Sequence, residues 1–202
     1  KEIEKNDGEK RNFLKIKSFT KLDPKIIKEL KYLKAKKNRK ISCFTKNSHL
    51  KYHINFYNEY LELDNRENWF RKSVEILKNE KIIFLDPDNG FKSNFKGSKS
   101  LKYVVENECR ELLMRDKIVI FTQFQSFNKH HLLYLKEIFF TLRKYKLKPT
   151  LPIIRNRTAP NTFYITLMSE NIELDIKSIY ENYQKRNNKN KLIKNFNFSS
   201  QI

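Results

Sequence analysis

Two acidic residues stand two positions apart in the stretch Asp86-Pro87-Asp88-Asn89-Gly90, directly after a short apolar run. Pro87 fixes one backbone angle and Gly90 permits a positive one, so the stretch predicts a defined turn. Paired carboxylates on such a turn can share a divalent cation, because Mg²⁺ and Mn²⁺ prefer oxygen ligands. The same pair can instead orient a water molecule or cap the next segment.

Residues farther along the chain could complete a metal site. We predict Asp86, Asp88, Glu108 and Gln123 as the catalytic set, with Asp86 and Asp88 as the metal ligands and Mg²⁺ or Mn²⁺ as the cofactor. The lysines that follow the turn can hold phosphate groups; they are Lys92, Lys96, Lys99 and Lys102.

The formal net charge is +20 at pH 7. Such a field attracts polyanions and speeds their encounter with the protein. An A/T-rich coding bias, which favours lysine and asparagine, would produce the same excess without any partner. Both explanations stay open at this point, and we predict DNA or RNA as the partner.

The positive charge is concentrated near the beginning of the chain, where residues 1–51 carry 17 Lys and Arg against 6 Asp and Glu. Apolar residues after Asp23-Pro24 recur at helical spacing, which predicts a basic amphipathic helix. Its polar face is either a phosphate-binding surface or a solvated helix surface. The predicted nucleic-acid contacts beyond the turn are Lys34, Lys36, Lys37, Arg39, Lys40, Arg155 and Arg157.

Helical spacing of apolar residues predicts helices at residues 66–79, 104–115 and 130–145. Short apolar runs predict strands at residues 81–85, 117–122, 150–154 and 162–168. Strands that alternate with helices favour an α/β fold with a mostly parallel central sheet, helices on both faces and a C-terminal antiparallel hairpin, a Rossmann-like arrangement. In such sheets ligands bind at the carboxyl ends of the strands, where Asp86, Gln123 and Arg155 are predicted to meet.

We divide the chain into a basic, mainly helical segment at residues 1–60, an α/β core at 61–170 and a polar C-terminal helix or tail at 171–202. No run of 18 apolar residues and no signal peptide is visible, so no membrane association is expected. Cys43 and Cys109 form neither a disulfide framework nor a C-x-x-C motif. These features favour a reducing, cytoplasmic location. The oligomeric state is not predicted.

The motif residues resemble an uncharacterised bacterial family marked by a D-P-D-N-G sequence. The resemblance rests on Arg66-x-x-Trp69-Phe70, residues 83–90, Lys102-Tyr103-Val104 and Glu108. It implies a site at this motif but gives no reaction, and the family's strand-end histidine has no counterpart here in Thr122-Gln123-Phe124.

The same block is also similar to the Asp-Pro strand end of amino-methyltransferases, which grips a target amine. Here Asp88 replaces the second proline of that motif. The only glycine before Gly90 is Gly8, so no glycine-rich cofactor loop precedes the motif. An S-adenosylmethionine pocket is therefore not expected.

Three functions follow from these patterns. The first is a nucleic-acid-processing enzyme, a metal-dependent nuclease or phosphodiesterase acting at residues 86–90. The second is a methyltransferase-like protein, active or degenerate, in which Asp86 contacts a flipped base. The third is a non-catalytic nucleic-acid-binding protein whose affinity depends steeply on salt.

Overall fold

The computed structural model describes residues 24–35, 54–93, 97–125, 128–156, 161–186 and 190–194. The helices are α1 (Pro24–Ala35), α2 (Arg66–Ile76), α3 (Glu106–Met114), α4 (His131–Lys144) and α5 (Ile176–Arg186). The strands are β1 (Ile82–Leu85), β2 (Ile118–Phe124), β3 (Pro149–Asn156), β4 (Thr162–Met168) and β5 (Asn190–Ile193). Short 3-10 helices occupy Leu63–Asn65 and Ser98–Lys102.

The five strands form one mixed sheet in the order β1-β2-β4-β3-β5. Only β1 and β2 run parallel, and every other neighbouring pair is antiparallel. The prediction of a mostly parallel, Rossmann-like sheet is therefore wrong. The physical reason is that β4 pairs with β2 as well as with its hairpin partner β3, which places an antiparallel strand at the centre of the sheet.

Side-chain alternation gives the sheet two different faces. The helical face carries Val119, Phe121 and Phe163, all with 0% exposure, and packs against α2, α3 and α4. The other face, which we call the open face, carries Phe84, Thr122 and Tyr164. Among the described residues, α5 packs against it, through a small cluster in which Ile154, Ile176 and Tyr180 are buried.

The helices have the spacing that their packing requires. In α4, for example, Leu135, Phe139 and Leu142 recur at intervals of four and three residues and are all buried. This spacing puts all three side chains on one side of the helix, where they contact the sheet.

The chain divides into two compact units. The first comprises Lys1–Asn58 with Lys185–Asn188, and α1 is the helix described within it. The second comprises Glu59–Gln184 with Lys189–Ile202 and contains the sheet. Within the described ranges, no helix is long and apolar enough to span a bilayer.

Candidate functional site

The turn after β1, residues 86–91, is held by hydrogen bonds to the side chain of Gln123. This side chain lies on the helical face of β2 and is 1% exposed. Its Oε1 accepts the backbone N–H of Phe91 at 2.8 Å. Its Nε2 donates to the Asn89 carbonyl at 3.4 Å and to the Tyr134 hydroxyl at 2.6 Å. Gln123 therefore uses both ends of its amide to hold the turn.

Gly90 is the residue that lets the turn pass over Gln123. Its φ is +86°, a conformation that other residues rarely adopt. A Cβ at this position would lie 2.4 Å from three atoms of the Gln123 amide. Both the backbone angle and the close approach therefore require glycine here.

A second segment, residues 102–104, holds the turn from the side. The Asn89 N–H donates to the Lys102 carbonyl at 2.9 Å, and the Val104 N–H donates to the Gly90 carbonyl at 2.9 Å. The Lys92 N–H donates to the Val104 carbonyl at 3.0 Å. The last two bonds form an isolated parallel β-bridge between Phe91 and Val104.

Arg66, at the start of α2, supports this segment in turn. Its Nε and Nη2 each lie 2.8 Å from a carboxylate oxygen of Glu108. Its Nη1 and Nη2 also donate to the carbonyls of Ser100 and Tyr103, both at 2.8 Å. The Arg66 and Glu108 side chains are 17% and 12% exposed, so this is a largely buried ion pair.

Asp86 lies on the other side of the sheet from Gln123. Its Oδ1 accepts the hydroxyl of Thr122 at 2.9 Å, and Thr122 projects from the open face of β2. Asp86 itself is exposed. A buried hydroxyl thus fixes one oxygen of a carboxylate that solvent can reach.

Tyr164 borders Asp86 on the open face. Burial raises the pKa of Tyr164, and the nearby Tyr183 hydroxyl and Asp86 carboxylate raise it further, while a side-chain hydrogen bond with Asn156 opposes them. The Phe84 ring stacks against Tyr164, with centroids 6.5 Å apart and planes 27° apart. The surroundings of Asp86 are therefore aromatic as well as polar.

Asp88 and two lysines occupy the outer rim of the turn. Asp88 Oδ2 lies 3.7 Å from Lys102 Nζ, and both side chains are well exposed. Lys92 Nζ lies 5.4 Å from the centroid of the Tyr103 ring, a cation–π distance. This rim is solvated and carries both signs of charge.

The four residues predicted as catalytic have different surroundings. Asp86 and Asp88 are exposed at the turn, whereas Glu108 binds Arg66 and Gln123 binds the turn backbone. Among the residues that the structure describes, no group of three or more His, Cys, Asp and Glu side chains is arranged to hold a metal ion.

Among the predicted nucleic-acid contacts, Lys92 and Lys102 lie at the turn. Arg155 is half-buried on the helical face, where its Nη2 donates to Gln125 Oε1 at 3.4 Å. Strand alternation therefore puts Arg155 on the opposite face from Asp86. The backbone of Lys34 is in α1 and that of Lys99 in a 3-10 helix, but their side chains lie outside the described part. The remaining predicted contacts fall outside the described residues: Lys36, Lys37, Arg39, Lys40, Lys96 and Arg157.

Sequence reasoning assigned no role to Arg66, Thr122, Tyr134 or Tyr164. Strand alternation carried a signal for Thr122, since residue 122 shares the face of Asp86 once β1 and β2 are paired in parallel. Tyr164 had no such signal, because its place depends on β4 pairing with β2.

No known family model matches this chain, and no curated protein or solved structure is significantly similar to it. The D-P-D-N-G resemblance therefore stays a prediction.

Proposed function

We propose that this protein binds nucleic acid and that the turn at residues 86–91 lies in the contact surface. The observation that carries the proposal is the net charge of +20 on a chain of 202 residues. A charge of this size supplies most of the sequence-independent affinity for a phosphate backbone.

The side chains at the rim of the turn support this location. Lys92 and Lys102 are exposed there and can approach a phosphate. Asp88 is close enough to Lys102 to compete with a phosphate for it, at 3.7 Å. Because both partners are exposed, that pair is weak and readily exchanged.

Metal-dependent phosphodiester hydrolysis stays a prediction, with Mg²⁺ or Mn²⁺ as the cofactor. Glu108 is bound by Arg66, and Gln123 is bound by the turn backbone. Of the four predicted catalytic residues, Asp86 and Asp88 are therefore left as candidate metal ligands, which favours binding over hydrolysis. A nuclease assay with each metal addresses this directly. Cleavage that Asp86→Ala abolishes would establish hydrolysis, whereas cleavage that survives the substitution would exclude the turn from it.

Binding is tested by fluorescence anisotropy with a labelled oligonucleotide in EDTA. Affinity should fall by at least tenfold between about 50 and 200 mM salt, because counterions are released from several phosphates. The double charge reversal of Lys92 and Lys102 to Glu should weaken binding and lower the salt slope by about two. The double charge reversal of Lys78 and Lys144 to Glu, two exposed lysines away from the turn, is the control with the same change in net charge. Affinity that is independent of salt would contradict the proposal.

A second candidate function is recognition of an amine by a methyltransferase-like site. It is favoured by one observation, the exposed Asp86 carboxylate that the Thr122 hydroxyl orients. Calorimetry with S-adenosylmethionine tests it, and heat of binding that Asp86→Asn leaves unchanged would point to a cofactor site elsewhere. No heat at millimolar concentration would remove an active methyltransferase.

A further inference from the structure

The part of the open face formed by β1 carries exposed apolar side chains. Ile82 and Phe84 occupy alternate positions of β1 on this face, and each is 54% exposed. The Phe84 ring lies next to Tyr164, so the two aromatic rings form one surface, and Ile82 lies two positions before Phe84 on the same face of β1. Asp86 follows at the next position on the same face.

This exposure is unusual within the sheet. The phenylalanines of the helical face, Phe121 and Phe163, are 0% exposed. On the open face α5 covers the region around Ile154 with its Ile176 and Tyr180 side chains. Phe84 therefore presents an aromatic ring to solvent from a rigid strand, which fixes the ring better than a loop would.

Unpaired nucleobases are a chemically suitable occupant of this surface. Bases stack on aromatic side chains, with a contribution that hardly depends on sequence because every base has a π-face. The charge of +20 is complementary to the phosphates of the same strand. Asp86 repels phosphate and accepts base N–H groups, so it favours an orientation with bases toward the sheet and phosphates outward.

We infer that Ile82, Phe84 and Tyr164 form a stacking surface for unpaired bases, and that the preferred ligand is therefore single-stranded nucleic acid. The inference rests on the proposed nucleic-acid binding and names its substrate class. In a duplex both faces of each base are already stacked, so the duplex gains nothing from Phe84.

The test compares two oligonucleotides that differ only in their bases. One is a strand of about ten thymidines, within the usual range of site sizes, and the other is an abasic strand with the same number of phosphates. The wild-type chain should bind the thymidine strand at least about fivefold more tightly, as expected for one or more stacked bases. Phe84→Ser should remove most of that difference and leave the abasic affinity unchanged.

Two variants serve as controls. Phe140→Ser removes a ring of similar exposure, 50%, from α4 in the layer that covers the helical face, and should leave both affinities unchanged. Phe84→Tyr keeps a ring and should retain the preference, whereas Phe84→Leu keeps only apolar surface and should lose it. Circular dichroism checks that each variant is folded.

The outcomes separate this inference from the proposal on which it rests. Equal affinity for both strands, or a preference that survives Phe84→Ser, overturns the stacking surface while nucleic-acid binding stands. Failure to bind either strand at low salt overturns both. Tighter binding of a matched duplex than of the thymidine strand overturns the single-strand preference.

Discussion

The inner and outer sides of the turn at residues 86–91 share one short motif but differ in their surroundings. On the inner side, Gly90 is buried against Gln123, and the backbone of Asn89 and Phe91 bonds to that glutamine. On the outer side, Asp86 and Asp88 are exposed. In this motif, residues 89–91 therefore maintain the conformation of the turn, whereas the two exposed carboxylates are the part that is available to a ligand.

Substitutions on the inner side should act through folding, and substitutions on the outer side should act through binding. The free energy of unfolding should therefore fall most on loss of the buried ion pair and least on substitution at the exposed rim.

Arg66→Ala should cause the largest loss, about 3–5 kcal/mol, because it leaves the Glu108 carboxylate largely buried without its cation. Urea denaturation measures this. Arg115→Ala is the matched control, since the Arg115–Glu111 pair is well exposed and should contribute less than about 1 kcal/mol. Equal losses for the two variants would show that the buried pair does not support the turn.

Gly90→Ala should destabilise by about 3 kcal/mol, because the new methyl group must displace a buried, hydrogen-bonded amide and adopt a positive φ. Gly97→Ala separates these two causes. Gly97 also has a positive φ, +94°, but nothing lies within 4 Å of its added Cβ. Its loss should therefore be smaller, about 1–2 kcal/mol, from the backbone angles alone.

Gln123→Leu should lower stability by about 2 kcal/mol, because it leaves the buried Phe91 N–H without its acceptor. Gln125→Leu provides the comparison, since Gln125 is half-buried and its amide makes only a long 3.3 Å bond to Lys129 and a 3.4 Å bond from Arg155. If Gln123→Leu kept full stability and lost only ligand binding, a direct role in binding would be favoured over a structural one.

Tyr134→Phe should lower stability by about 1 kcal/mol near neutral pH, because Gln123 loses a hydrogen-bond acceptor. Burial raises the pKa of Tyr134, and the hydrogen bond from Gln123 offsets part of that rise. Tyr134 therefore ionises first in the unfolded chain, at about pH 10. The free energy of unfolding then falls as the pH rises from there through the pKa of Tyr134 in the folded chain. Above about pH 10 the free energy of unfolding should therefore fall less steeply with pH in Tyr134→Phe than in the wild-type chain. The same pH dependence in both would contradict the raised pKa of Tyr134.

Asp88→Asn should change stability least, by no more than about 0.5 kcal/mol, because its exposed contact with Lys102 is weak. Its effect on nucleic-acid affinity should be an increase, since it removes a negative charge from the rim. A clear loss of stability here would mean that the outer side of the turn is structural too.

Hydrophobic spacing was sufficient to locate the elements of the core. The strand predicted at 162–168 has those bounds, and the helix predicted at 130–145 is observed at His131–Lys144. These predictions are confirmed because each element buries one face, which leaves a periodic pattern in the sequence.

Spacing was not sufficient to predict pairing. A continuous apolar run such as Ile118-Val119-Ile120-Phe121 is buried on both faces in parallel and antiparallel sheets alike, so it does not identify its neighbours. The strand at Asn190–Ile193 was missed because its four residues carry too short a pattern. The roles of Gln123 and Glu108 were missed because hydrogen bonding depends on which segments meet.

The central position of β4 constrains the order in which this sheet can be made. β2 precedes β4 by some forty residues, and the hairpin strand β3 is synthesised between them. Until residue 168 has left the ribosome, one edge of β2 is without its final neighbour, and the apolar residues of β2 are available for aggregation. A chain shortened before β4 should therefore depend on chaperones even though it contains the whole turn at residues 86–91.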